Sequence, residues 1–468
     1  FRDSNFDQPL NDWDVSNVTD MYRMFYTSAY NQPLNDWDVS NVTNMKGMFQ
    51  NADSFNQPLD NWDVSNVISM NNMFLGANSF NQSLENWNVS SVTSMNSMFQ
   101  DASSFNQPLD NWNVSNVTSM NNMFLGANSF NQPLNNWDVS NITDMSYFFK
   151  GASSFNQPLN SWDVSNVTDM SLMFIDTNFN QPINNWDVSN VTNMEEMFKN
   201  SAYNQPLNNW NVSNVTDMRE MFENSSFNQP LNNWDVSNVD GGYYNTGFQS
   251  MFQNSSFNQD ISSWTFTVVQ LFSFIENSAM DTQNLDLLLD RLVQLGLEDG
   301  YLYADGLEFC DPFTTSTLVF DRNWEITGAD LSDDCNTNYI AGKVRLDEDN
   351  NGCDSSDDTL SQLTINTNDG QNDLSLLTNS QGNYIVPVNQ GNFNVTMLNL
   401  PNYFDASPTS YNVSFNGTDE LEDQKDFCIT ANQDVEDLNI EVFPIDGAIP
   451  GFESEYEIVV KNFGTQTQ

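Results

Sequence analysis

From Leu10 onward the chain repeats one spacing of apolar residues. The first set is Leu10, Trp13, Val15, Val18, Met21, Met24 and Phe25. Tryptophan marks the period, at Trp13, Trp37, Trp62, Trp87, Trp112, Trp137, Trp162, Trp186, Trp210, Trp234 and Trp264, at intervals of 24 or 25 residues until a last one of 30. Trp and Val alternate, which predicts a short strand with one buried face. The following Val-x-x-Met-x-x-Met-Phe steps by three, which predicts one tight helical or 3₁₀ turn on the opposite side. Each unit reads as a strand, a bend, a short turn of helix and a return.

A single unit cannot bury its Trp, Phe, Met and Val side chains alone. Stacking neighbours closes a continuous core, so eleven units over residues 1–275 predict a solenoid. The columns Phe55, Phe80, Phe105, Phe130, Phe155 and Met73, Met98, Met123 belong to that core rather than to an aromatic ligand cage. The Asn-Gln pairs that precede each Leu, such as Asn56-Gln57 and Asn106-Gln107, are expected to stack in register and satisfy backbone groups of the neighbouring turn. Residues 281–296 carry Leu285, Leu288, Leu289 and Leu292 on one helical face with Gly296 as the stop. They open a cap expected over 276–337.

From about Tyr339 short alternating runs appear, including 342–346, 383–386 and 392–396, separated by Asn, Gly and Asp turns. This predicts an antiparallel β-sandwich over 338–441. The strand-like run 456–460 predicts the start of a further β-module over 442–468.

The recurring Asn-Gln-Pro-Leu, Trp-x-Val-Ser-x-Val-Thr-x-Met and Met-Phe elements resemble the BspA-like leucine-rich-repeat surface proteins of bacteria over about residues 1–275. The resemblance implies a mainly β fold: a right-handed, leucine-rich-repeat-like array of short parallel strands and short helical turns. It also implies an adhesin or recognition protein that is secreted or held on the cell surface, at the exterior of the bacterial outer membrane. The partners implied are extracellular proteins or glycans. The sandwich resembles Ig-like modules of bacterial surface proteins, and the tail resembles modules of secreted Bacteroidetes proteins. That points to type 9 export and to the secretion machinery of the outer membrane as a further partner.

The residue between Trp and Val points away from the core and forms a ladder: Asp14, Asp38, Asp63, Asn88, Asn113, Asp138, Asp163, Asp187, Asn211 and Asp235. Like charges in adjacent strands repel, so the ladder serves either solubility and edge protection or a cationic ligand such as Ca²⁺. A second column, broken by Ile68, includes Thr19, Thr43, Thr93 and Thr118. One Thr per unit does not make the flat paired face of an ice binder. One unit carries an insertion, 240–247, whose Tyr243 and Tyr244 are candidate contact residues.

Composition narrows the chemistry. Twelve Lys+Arg stand against 63 Asp+Glu, a net charge of −51, which excludes nucleic acid and anionic membrane as partners. The absence of His removes His-based general acid–base catalysis and triads. The carboxylates recur evenly, with no unique pair, so no enzyme is expected. No apolar run is long enough for a membrane span. The chain opens within a repeat and ends after a strand-like run, so both ends read as interior to a longer precursor.

The four cysteines, Cys310, Cys335, Cys353 and Cys428, have no C-x-x-C spacing and fit two disulfides in an oxidising compartment. Proximity favours Cys310 with Cys335, and Cys353 with Cys428 would bridge the sandwich, although four cysteines allow three pairings. Asp347, Asp349, Asn351, Gly352 and Asp358 follow the D-x-D-x-N-G-x₅-D spacing of a Ca²⁺ loop. Asp replaces the usual Glu at the last position, and an acidic β-turn is the alternative. The expected function is recognition through the repeated face. The alternative is a structural stalk or filament without a specific ligand.

Overall fold

From the second coil onward the repeated apolar positions turn inward. Leu34, Trp37, Val39, Val42, Met45, Met48 and Phe49 are each 3% exposed or less, and their equivalents stack ring on ring from one coil to the next. Trp62 lies on Trp87 at 6.4 Å and 2°, Phe49 on Phe74 at 5.7 Å and Phe80 on Phe105 at 6.0 Å. The computed structural model describes the chain apart from residues 243–245, 333–337, 348, 350, 355, 362, 371–372, 380, 389, 418–420, 423–424, 433–437, 445–455 and 463–468. It divides into two units, Phe1–Phe309 with Arg322–Asp330, and Cys310–Asp321 with Leu331–Gln468.

In the first unit, alternate backbone N–H groups reach the next coil. Those of Met45, Gly47, Phe49 and Asn51 donate to the carbonyls of Ser69, Asn71, Met73 and Leu75 at 3.2, 2.8, 2.9 and 2.6 Å. The residues between them close β-turns, with Met48 N–H on Met45 O and Ala52 N–H on Phe49 O. Such turns need a left-handed third residue, and Gly47 (φ 62°) and Asn51 (φ 56°) supply it. The segment expected to be helical is therefore a run of β-turns joined to its neighbour.

The strand expected at Trp-x-Val is absent as well. Trp37 N–H bonds Leu34 O and Val42 N–H bonds Val39 O, so this stretch is two successive turns. The strand character lies further along, as one parallel bridge per coil through Asp20, Asn44, Ser69, Ser94 and Ser119, and again through Asp144, Asp169, Asn193 and Asp217. The indole N–H of Trp62 donates across coils to Leu34 O at 2.9 Å. Equivalent bonds join Trp87 to Leu59 and Trp137 to Leu109. Each buried indole thereby meets its need for an acceptor.

The array continues past residue 275. Helix α1, Thr282–Leu295, is capped by the Asp281 carboxylate on Asn284 N–H, buries Leu285, Leu288, Leu289 and Leu292, and stops at left-handed Gly296 (φ 68°), as its sequence foretells. Strand β1, Gln270–Leu271, pairs in parallel with β2, Tyr301–Phe309, in a three-stranded sheet completed by β3, Glu325–Leu331. Residues 276–309 and 322–330 thus pack with the repeats, and residues 310–321 fall in the second unit.

The second unit is sandwich-like. Around β4, Asn338–Asp347, one sheet gathers β5 (Asp358–Thr359), β8 (Asn383–Val388), β10 (Phe404–Ser407), β12 (Leu421–Glu422) and β13 (Phe427–Ala431). The other has the order β11-β9-β6-β7, with β6 Thr364–Asn368, β7 Asp373–Leu377, β9 Gly391–Leu398 and β11 Ser410–Phe415. Ile340, Val344, Tyr384, Val386, Phe427 and Ile429 of the first meet Ile365, Phe393, Val395, Val413 and Phe415 of the second in one core. The expected strands are present, but the pairing is mixed: β4 runs antiparallel to β8 and parallel to β13. Strand β14, Leu438–Pro444, runs through the expected 441/442 boundary and pairs with β15, Tyr456–Asn462.

Candidate functional site

The ladder between Trp and Val is a column of turn caps. Oδ1 of Asp14 accepts from the Ser16 amide (3.1 Å) and hydroxyl (2.6 Å). Asp38 does the same with Ser40, and Asp138 and Asp235 with Ser140 and Ser237. At Asp63 and Asp187 the backbone amide two residues on is the donor, and at Asp163 the Ser165 amide donates at 3.1 Å with its hydroxyl also directed at the carboxylate. Asn88, Asn113 and Asn211 cap in the same way through their amide oxygen. What the position needs is an acceptor oxygen, which Asp and Asn both supply.

The Ser16, Ser40 and Ser165 hydroxyls, then their amides, hold Asp14, Asp38 and Asp163 below the usual carboxylate range. At Asp38 the charge of Asp14 pushes the other way and is the weakest of the influences. At Asp38 local hydrogen bonding outweighs the repulsion from its neighbour in the column.

The neighbouring polar columns bond coil to coil. Asn66 Nδ2 donates to Ser40 O, and Asn141 Nδ2 to Ser115 O. The Thr43 hydroxyl donates to Thr19 O and that of Thr168 to Thr143 O. The Asn-Gln pairs form the expected amide ladder: Asn56 Oδ1 accepts from Asn81 N–H at 2.9 Å and from the Gln82 amide at 2.9 Å. In a typical coil the exposed positions are Pro33, Asp36, Asp38, Asn41 and Thr43, and the same positions are exposed in neighbouring coils. One polar face is repeated along the array.

Two places break the repetition. Lys199 pairs with Glu220 and with Glu223, and Arg219 pairs with Asp217 and Glu195. Burial raises Glu195 and Glu223 above the ordinary glutamate range against the pull of those cations. Sequence periodicity gave no sign of this cluster, because its residues occupy positions that vary between coils. The second place is the insertion. Its neck is tight, since a Cβ on Gly241 would lie 2.2 Å from Gly247 N, and the coil-to-coil bonding resumes with Met218 N–H on Gly247 O. Tyr243 and Tyr244 lie outside the described residues.

In the second unit the acidic loop after β4 brings Asp347, Asp349 and Asp357 together, one oxygen of each within 4.8 Å of the others. Asp358 is the residue expected there. It pairs with Leu346 at the start of β5, and Asp357 beside it is the residue whose carboxylate joins the cluster. Asp347 is buried, and its two oxygens accept from Asn351 N–H (3.1 Å) and Gly352 N–H (3.0 Å). The Asn351 side chain donates its amide to Asp349, which turns its nitrogen toward the cluster's carboxylate. Three carboxylates are a hard-oxygen donor set of the kind Ca²⁺ takes. Cys353 and Cys428 form a disulfide with Cα atoms 5.5 Å apart, tying this loop to β13. Cys310 is described, whereas Cys335 lies outside the described residues.

The repeats match the family described as "Mycoplasma protein of unknown function, DUF285" in overlapping segments, 1–87, 69–178, 93–206, 152–245 and 200–287. No curated protein and no solved structure matches the chain.

Proposed function

The chain belongs to the DUF285 repeat family, and from that premise we propose that it is an adhesin or recognition protein whose stacked coils form a right-handed, leucine-rich-repeat-like solenoid. The partner is an extracellular protein or glycan, held by the repeated polar face. One observation carries the reading. The interior of each coil is closed by stacked apolar side chains, whereas the Pro, Asx, Asp/Asn, Asn and Thr columns present closely similar polar groups to solvent from coil to coil, with Ile68 and Ser83 among the departures. A face of this kind offers many weak contacts in register, which favours avidity over a single reactive site. No enzymatic step belongs to this reading. The disulfide supports an oxidising, extracellular setting. Export to the cell exterior, of the type 9 kind, and an Ig-like, Bacteroidetes-type character for the second unit complete the proposal.

The acidic loop fits a structural Ca²⁺ held by Asp347, Asp349 and Asp357, whose role would be to neutralise three converging carboxylates and fix the loop beside the disulfide. The recognition reading is tested by probing arrays of extracellular-matrix proteins and glycans with the intact chain. Saturable capture that falls when the chain is presented as separated molecules instead of clustered ones supports it. No capture under either presentation would leave the stalk or filament alternative.

A further inference from the structure

The strongest unassigned cavity lies in the second unit, on the side of β4 and β8 that faces away from the core. Ile340, Val344, Tyr384 and Val386 point into the core, so alternation along the strands turns Lys343, Arg345 and Asn383 to the opposite side. Lys343 stands directly across from Asn383 in the β4–β8 register. Helix α2, Pro312–Ser316, packs against β8, and the turn that follows it brings Phe320 over the same face. The space enclosed has a volume of about 330 Å³, at the lower end of the roughly 300–1,000 Å³ of small-molecule sites. That is room for one sugar ring.

The lining has three kinds of group. Lys343 and Arg345 are two of only twelve basic residues in a chain of net charge −51. Among the described residues, neither forms an ion pair. Arg345 uses one guanidinium N–H on Asp357 O, which fixes its position and leaves further donors. The side-chain amide of Asn383 has no partner among the described residues, and Asn379 lies beside it. Phe320 is 59% exposed, so its ring face at the rim of the cavity is open to a ligand. Asp426 also lines the cavity, with Oδ1 taken by the Lys343 backbone N–H at 2.8 Å.

We propose that this cavity binds a monosaccharide bearing a carboxylate, of the uronic-acid class. The cations take the carboxylate in charge-assisted hydrogen bonds. The amides of Asn379 and Asn383 meet ring hydroxyls, and Phe320 covers the apolar face of the ring. A bare carboxylate would satisfy the cations alone and leave Phe320 and Asn383 without a role. Among the lining residues two cations stand against the one carboxylate of Asp426, and Lys343 is the cation set apart from the acidic loop, since Arg345 also faces Asp354. The site is separate from the array face, so its failure would leave the recognition reading standing.

The test is calorimetric titration of the intact chain with sodium glucuronate, glucose and acetate, together with Lys343→Gln and Phe320→Ala. Thermal melts serve as the check on folding. Both side chains are partly or largely exposed, so both variants should melt as the parent does. We expect saturable glucuronate binding, weakened about tenfold or more by Lys343→Gln. Phe320→Ala should weaken it measurably, and glucose and acetate should bind worse than glucuronate. The proposal is overturned by absence of saturable glucuronate binding, by binding that neither substitution alters, or by acetate binding as tightly as glucuronate with Phe320→Ala silent.

Discussion

The indole N–H of Trp324 donates to the carbonyl of Leu297 at 2.9 Å, the bond that Trp137 makes to Leu109 in the middle of the array. The stacking rule therefore outlasts the sequence motif that announces it. Trp324 is 3% exposed, and Trp13, at the first coil, is 51% exposed. Trp324→Ala should cost about 3–5 kcal/mol, and Trp13→Ala under about 1 kcal/mol. Chemical denaturation measures both, and hydrogen exchange should show the first loss concentrated in residues 297–330. Equal costs would mean that Trp324 is not part of the array.

The amide ladder makes a sharper claim about individual atoms. Asn131 Oδ1 accepts from Asn156 N–H at 3.0 Å and from the Gln157 amide at 3.1 Å. Asn131→Ala removes the acceptor from the exposed Asn156 amide and the half-buried Gln157 side chain, at a cost of about 0.5–1.5 kcal/mol. Asn131→Asp keeps an acceptor and should lose less. Thermal melts of the two variants decide the matter, and a larger loss for Asp than for Ala would contradict the ladder.

Acid should weaken the turn caps. Asp14, Asp38 and Asp163 are held below the usual carboxylate range by their serine partners. Their contribution is complete above the unfolded value of about 3.9 and is lost as pH falls through the folded value. Glu195 and Glu223, raised by burial, act with the opposite sign and gain from protonation. Replacing Asp14, Asp38 and Asp163 together by Asn should leave the melting temperature near neutrality almost unchanged, because Asn88 caps the same turn. It should make the decline between pH 5 and pH 2 shallower. An unchanged acid profile would remove the caps from the account.

If Ca²⁺ binds the acidic loop, Asp357 is a ligand and Asp358 is not. Titration of the intact chain with Ca²⁺ after EDTA treatment should show one site. Asp349→Ala and Asp357→Ala should abolish it, and Asp358→Ala should spare it. Loss on Asp358→Ala with Asp357→Ala silent would restore the ligand set expected from motif spacing.

The core was legible because its signal is redundant: the same Leu, Trp, Val, Met and Phe positions recur at one period, and burial follows them once a coil has neighbours on both sides, whereas Trp13 of the first coil stays exposed. The helix Thr282–Leu295 was legible from its leucine face and its stop. The local conformation of the coil was not. Trp37 and Val39 alternate as strand residues do, yet the turn from Leu34 to Trp37 and the cap from Asp38, between them, to Ser40 break any ladder. A pattern of two residues cannot tell a turn from a strand. Trp324 escaped notice because no Asn-Gln-Pro-Leu precedes it, although it stands 27 residues after Leu297, as Trp37 stands after Leu10. That the Asp357 carboxylate gathers with Asp347 and Asp349 depends on loop geometry and sheet register, which motif spacing does not carry. The Lys343–Arg345 cavity needs the fold to bring β4, β8 and residues 312–321 together.

The central claim is that the repeated polar face is the binding surface. The direct measurement is hydrogen–deuterium exchange on the intact chain, alone and with a partner captured from the protein and glycan arrays. The account predicts slowed exchange that recurs once per coil, in segments equivalent to residues 33–43, over several successive coils. Protection confined to the second unit, or to one isolated coil, would contradict it.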